Sequence, residues 1–215
     1  MHALIVVAHP DPGSFSHRIA QQLAKGVALA DGGHTAEIAD LAAEGFDPRF
    51  TANDHAVHKE HAPPSADVAR EQQRIDRSDA LVLVYPVYWW SFPGLLKGWI
   101  DRVFANGWAY DESAQTGLVK RLGHLPVHLV AIGGADPGTY DRHGYFGAMR
   151  TQIDHGIFDY CGARVATSEF LLDSERQDRT AQLEQARALG RAIFAPADGS
   201  HRVLHLAQEA ASLQV

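Results

Sequence analysis

Residues 80–104 read ALVLVYPVYWWSFPGLLKGWIDRVF, and they write a strand, an aromatic loop and an amphipathic helix in one unbroken line. Leu81 to Tyr85 is a continuous apolar, β-branched run, the pattern of a strand buried on both faces. Pro86 cannot donate to a ladder and ends it. Val87, Tyr88, Trp89 and Trp90 follow without a charge. Leu95, Leu96, Trp99, Ile100, Val103 and Phe104 then recur at helical spacing, with Lys97, Asp101 and Arg102 on the other face. Aromatic rings on a loop leaving the carboxyl end of a central strand are well placed to receive a flat ligand.

Working outward, residues 2–8 form a first apolar run, broken by the turn chemistry of His9-Pro10-Asp11-Pro12-Gly13-Ser14. Ser14 or Ser16 caps a helix over residues 16–30, and residues 34–41 alternate like an edge strand. Residues 45–66 carry His55, His58, His61, Pro63 and Pro64 with little apolar material, and read as a long irregular excursion. A helix follows over residues 66–77. Beyond Phe104 lies a polar, glycine-containing loop to Gly123, then a buried strand over 127–132 and a loop over 133–140. A helix over 145–160, a strand over 163–172 and an amphipathic helix over 179–194 complete residues 1–195 as one domain, with 196–215 as a tail or arm. Strands alternating with helices give a doubly wound α/β domain with a five-stranded parallel sheet.

The chain has 215 residues, of which 46% are hydrophobic and 21% charged, enough for one well-cored domain. A formal net charge of −7 disfavours nucleic acid and anionic membrane as main partners. No apolar run reaches the roughly 18 residues of a membrane helix. The apolar start lacks a basic lead-in and reads as a strand rather than a signal peptide. The single cysteine, Cys161, fits a reducing, cytoplasmic compartment and reads as a buried small hydrophobe.

In a sheet ordered 2-1-3-4-5 the first, third and fourth strands are adjacent, so three loops of unusual composition converge on one crevice. The first offers Ser14, Ser16 and a helix N-terminus, an anion site without a lysine. The second supplies the aromatic wall, whose rings equally suit a dimer interface. In the third, Gly133 and Gly134 allow close backbone approach, and Tyr140 adds a phenolic donor. The three loop histidines lack metal-site spacing partners, so no metal site is expected, and they read as solvated. Ser14 and Ser91 lack a G-x-S-x-G elbow, so no hydrolase triad is expected.

At Pro86-Val87-Tyr88-Trp89-Trp90-Ser91-Phe92-Pro93 and the following Leu96-Lys97-Gly98-Trp99 to Asp101-Arg102-Val103-Phe104, the chain closely resembles the flavodoxin-like NAD(P)H:quinone reductases, the DT-diaphorase family. That group includes bacterial modulators of drug activity and ancillary subunits of potassium efflux systems. LIVVAHPDPGSFS at the start, Gly107-Trp108-Ala109-Tyr110, Gly133-Gly134 and Tyr160-Cys161-Gly162 extend the resemblance. It implies a flavin-dependent two-electron reductase working by ping-pong transfer from NAD(P)H to a quinone. By position, His9, Ser14, Phe15 and Ser16 would hold the flavin phosphates and ribityl chain. Pro86, Val87, Tyr88, Trp89 and Trp90 would line the ring, with Gly133 and Gly134 on its polar edge. Tyr140 matches the tyrosine that donates toward the flavin, and Trp90, Tyr110 and Tyr160 would line the shared substrate pocket. Arg179 matches a residue near the adenosine of FAD, which the excursion also favours; FMN is the alternative. The family's catalytic histidine is replaced by Phe146, leaving nearby His143 as its substitute. The family implies a homodimer. A rival reading is a slow regulatory subunit docked on a membrane transporter. A one-electron carrier is disfavoured by Arg102, Lys120 and Arg121, expected near the site.

Overall fold

The computed structural model describes residues 1–113, 117–174 and 178–195; the tail expected over 196–215 lies outside them. The central strand is β3 (Ala80–Pro86), all seven of whose residues are buried. It pairs in parallel with β1 (His2–Val7) on one side and β6 (Pro126–Ile132) on the other. The edges are β2 (Thr35–Asp40) and β7 (Arg164–Leu171), giving the order β2-β1-β3-β6-β7, the 2-1-3-4-5 arrangement counted within the sheet. The alternation of a strand sends successive side chains to opposite faces. Leu4, Val6, Leu81, Leu83 and Tyr85 therefore pack one core, and Ile5, Val7, Val82 and Val84 the other.

The second core is covered by α1 (Phe15–Leu29) and α7 (Thr180–Ala192). These helices touch backbone to backbone, because a Cβ at Gly26 would overlap the carbonyl oxygen of Arg187, and one at Gly190 that of Leu23. On the first core lies α4 (Gly94–Val103), which buries Leu96, Trp99 and Val103, flanked by α3 (Ala66–Asp76). Trp99 donates its indole N–H to Glu71 Oε2 at 2.9 Å, satisfying both groups in the interior.

Four expectations are corrected. The excursion over 45–66 is not irregular throughout, because it holds α2 (Ala52–Glu60). Thr51 and Asp54 form a reciprocal capping box at its start. Arg102, only 4% exposed, reaches across to Asp54 (3.0 Å), Asp67 (2.7 Å), Ser65 (3.2 Å) and the carbonyl of Asp47 (2.7 Å). A helix held by a cap and buried ion pairs leaves no apolar stripe to read. Second, the loop ending at Gly123 contains an antiparallel hairpin, β4 (Tyr110–Ser113) with β5 (Gly117–Lys120). Its strands are short and β5 is exposed throughout, so no buried pattern marks them. Third, the loop after β6 contains α5 (Pro137–His143), with Asp136 as N-cap and Pro137 at its first turn. The helix expected over 145–160 divides into α6 (Tyr145–Met149) and a π-helical stretch, Arg150–Asp159.

Candidate active site

The carboxyl ends of β1, β3 and β6 stand side by side, with Val7 opposite Val84 and Pro86 opposite Ile132. At the first, Asp11 organises the turn by accepting from the Gly13 amide at 2.8 Å. Ser14 caps α1, accepting from the His17 amide at 3.4 Å. The first-turn amides of such a helix have no intrahelical partner and favour an anion. Phe15 is buried, and the Arg179 guanidinium lies 4.8 Å over its ring, so the structure brings Arg179 to this turn.

A linkage absent from the sequence reading begins at Ser14. Its Oγ is 2.8 Å from His17 Nδ1, and His17 Nε2 is 2.8 Å from Asp40 Oδ2. His17 is 9% exposed. The other oxygen of Asp40 accepts from the amides of Ala42 and Ala43, both at 3.1 Å. The order serine, histidine, aspartate is that of a hydrolase triad, but Ser14 is a buried helix cap rather than an exposed nucleophile. The only local signal was a serine three residues before a histidine at a helix start, since Asp40 comes from another strand.

The aromatic loop is a two-residue turn. Tyr88 and Ser91 exchange backbone hydrogen bonds at 3.2 and 3.1 Å, and Trp89 (φ 51°) and Trp90 (φ 54°) both adopt left-handed backbone. This type I′ geometry ordinarily selects Asn-Gly, so two tryptophans here hold strain. The turn pushes Trp89 out to 88% exposure and sets Trp90 against Tyr145.

In the third loop, a Cβ at Gly133 would lie 2.5 Å from Tyr140 Oη and 2.8 Å from Leu172 Cδ2. Only glycine lets the phenol sit over this backbone. Tyr140 is 2% exposed, and burial raises its phenol above the ordinary value, keeping the proton on a donor. The second and third loops together line a cleft of about 280 Å³ formed by Val87, Tyr88, Trp89, Trp90, Gly134, Ala135 and Tyr140.

Phe146 stacks on Tyr140 with centroids 5.0 Å apart. His143 is exposed and stacks on Tyr145 at 5.3 Å, and Tyr145 stacks in turn on Trp90. Tyr110 and Tyr160 meet edge to face at 5.2 Å and form a pair of their own, outside the lining of the Trp90 cleft. His58 is not a solvated loop residue: it is half-buried on α2, with Nδ1 3.1 Å from Tyr110 Oη and Nε2 3.2 Å from the Asp101 carbonyl. Arg102 is spent in its buried ion pairs, while Lys120 pairs with Asp159 and Arg121 with Asp111. Each of the three therefore has a carboxylate partner. Cys161 is buried, which pushes its thiol up to about 11. Sequence reading also passed over Asp154, half-buried in the π-helical stretch and pushed up to about 6 by burial.

The geometry fits a flat ring joined to an anion: an aromatic wall, a glycine-floored edge under a phenol donor, and a helix N-terminus one strand away. A family model described as a flavodoxin-like fold matches residues 1–192. The mouse ribosyldihydronicotinamide dehydrogenase [quinone] is 31% identical over 205 residues, covering 84% of this chain and 86% of its own. An uncharacterized NAD(P)H oxidoreductase of Haemophilus influenzae is 28% identical, covering 86% and 92%. Among solved structures, the NAD(P)H:quinone oxidoreductase from Methanothermobacter marburgensis superimposes with a TM-score of 0.81 at 28% identity, covering 90% of this chain and 96% of its own.

Proposed function

The chain belongs to the flavodoxin-like family of NAD(P)H:quinone oxidoreductases, and on that premise we propose that it is a flavin-dependent reductase carrying two electrons from NAD(P)H to a quinone. The observation that carries the proposal is the Tyr140 phenol held over the Gly133 backbone at one edge of the Trp89–Trp90 cleft. When bound, the flavin supplies the hydride chemistry, and the protein supplies position and charge.

The residues present fit that group. The first-turn amides of α1, Ser14 and Ser16 would hold its phosphates, with His9 and Phe15 beside them. Pro86, Val87, Tyr88, Trp89 and Trp90 would line the ring, with Gly133 and Gly134 at its polar edge. We assign FAD, because Arg179 matches the family position near the adenosine and its guanidinium stands over Phe15 at the first turn, where it would hold that half of the cofactor. Tyr140 donates its proton toward the ring edge where negative charge collects, a preorganised donor of the kind that favours charge development. His143 provides the second titratable group, in place of the family histidine position occupied by Phe146. Trp90 faces nicotinamide and quinone in turn, which makes the exchange ping-pong. Tyr110 and Tyr160 complete the pocket in a homodimer, in which the exposed Tyr88 and Trp89 are covered.

Crossed initial-rate measurements of quinone-dependent NAD(P)H oxidation test this reading. Parallel double-reciprocal lines are expected; intersecting lines would exclude the ping-pong exchange, in which the two substrates occupy one cleft in turn.

A further inference from the structure

The Ser14–His17–Asp40 linkage carries a consequence for how the first turn receives an anion. Asp40 accepts two backbone amides and faces His17 Nε2. Burial alone would raise its carboxyl, but the Ala43 amide and the His17 ring bring it below the ordinary value. It is therefore an acceptor only, and His17 Nε2 must carry a hydrogen. The remaining nitrogen, Nδ1, faces Ser14 Oγ at 2.8 Å. When His17 is neutral, Nδ1 holds a lone pair, and the Ser14 hydroxyl spends its one proton on it. The serine then presents only lone pairs outward, which repel a phosphate. When His17 takes up a proton, Nδ1–H donates to Ser14 Oγ, and the hydroxyl proton is released to point at an anion.

We propose that His17, braced by Asp40, is a positioning residue that turns the Ser14 hydroxyl into a donor for the cofactor's phosphate, so that cofactor and one proton are taken up together. The inference rests on the flavin reading above. Besides Asp40, the titratable ring at His17 is His9, edge-on at 6.3 Å, whose Nδ1 accepts from the Asp11 amide; the adjacent Arg18 reaches over Phe15. His9 is a second imidazole at this turn, so the test must separate the two rings.

The experiment is an NMR titration of the His17 ring in the apo-protein and with FAD bound, alongside FAD affinity from pH 5.5 to pH 8.5 (roughly the range in which imidazoles titrate). FAD is preferred to FMN, because the phosphate monoester of FMN ionises near pH 6, at about the same point. His17 is expected to hold its proton to a pH at least about one unit higher with FAD bound, with affinity falling by up to about tenfold per pH unit above the apo-protein's ionisation. In His17→Gln that pH dependence should disappear, while in His9→Gln it should persist. An unmoved His17 titration with FAD bound would overturn the proposal, and the wild-type titration decides it even where a variant fails to fold. Failure of FAD and FMN to bind at any pH would instead overturn the flavin reading. Inorganic pyrophosphate then serves as the probe, with a raised His17 titration supporting the proposal and an unmoved one sinking it.

Discussion

The indole of Trp90 lies on the ring of Tyr145, with centroids 3.9 Å apart and planes 23° apart. This contact ties the aromatic turn after β3 to the segment that follows Tyr140, across the mouth of the cleft. Tyr145 also stacks with His143, so one aromatic ring touches both the wall and the histidine. An aromatic pair of this kind contributes about 0.5–1.5 kcal/mol beyond area burial. Tyr145→Ala is expected to weaken flavin binding by roughly twofold to tenfold. Equilibrium fluorescence titration of the apo-protein checks it, and unchanged affinity would mean that Trp90 holds its place without the stack.

The left-handed backbone of Trp89 costs about 1–2 kcal/mol, which glycine does not incur. Because the ring is 88% exposed in this chain, its removal forfeits little packing. Trp89→Gly should raise the stability of the dissociated subunit by about 1 kcal/mol in urea unfolding, at protein concentrations below those that hold the homodimer together. It should also lower the rate of quinone reduction, since the strain serves to present the ring. A destabilised variant would show that the turn is not strained.

Arg102 and Asp54 are both nearly inaccessible, and removing one partner strands the other. Asp54→Ala is expected to cost about 3–5 kcal/mol, because it also removes half of the capping box. Denaturant unfolding measures it. Acid should act on the same network. Burial opposes ionisation of Asp67, but hydrogen bonds from Ser65 and Arg102 hold its carboxyl down at about 2. A carboxyl depressed in the folded state contributes stability above its unfolded pKa, and that contribution is lost as pH falls through the folded one. Stability should therefore decline from about pH 4 toward pH 2, and the decline should be shallower in Asp67→Asn.

Tyr140→Phe keeps the ring stacked on Phe146 and removes the donor over Gly133. Flavin content should be unchanged, and reduction by NAD(P)H should slow on the order of 10²-fold. Stopped-flow absorbance resolves the two. Wild-type reduction rates in the variant would remove Tyr140 from the chemistry.

The sheet and the cleft were legible because β3 and α4 lie in one apolar line, with the strand buried on both faces and the helix striped. The 2-1-3-4-5 order then set the ends of β1, β3 and β6 side by side, while the cleft itself is lined by the second and third loops alone. What was not legible was held by polar groups or by distance. The helix α2 is fastened by Arg102, whose partners Asp54 and Asp67 are scattered through a segment poor in apolar residues. Asp136-Pro137 is a helix start, but the seven residues of α5 are too few to show a stripe. His17 looked like one more residue of α1, because Asp40 joins it only after the chain has crossed to the edge strand.

The most direct test of the account is anaerobic addition of NADPH or NADH to the purified, flavin-loaded protein, followed by a quinone. The oxidised-flavin absorbance should bleach with one equivalent of reductant and return when quinone is added, with Tyr140→Phe slow in the first step. A bound flavin that stays oxidised with both nucleotides would contradict the enzyme reading.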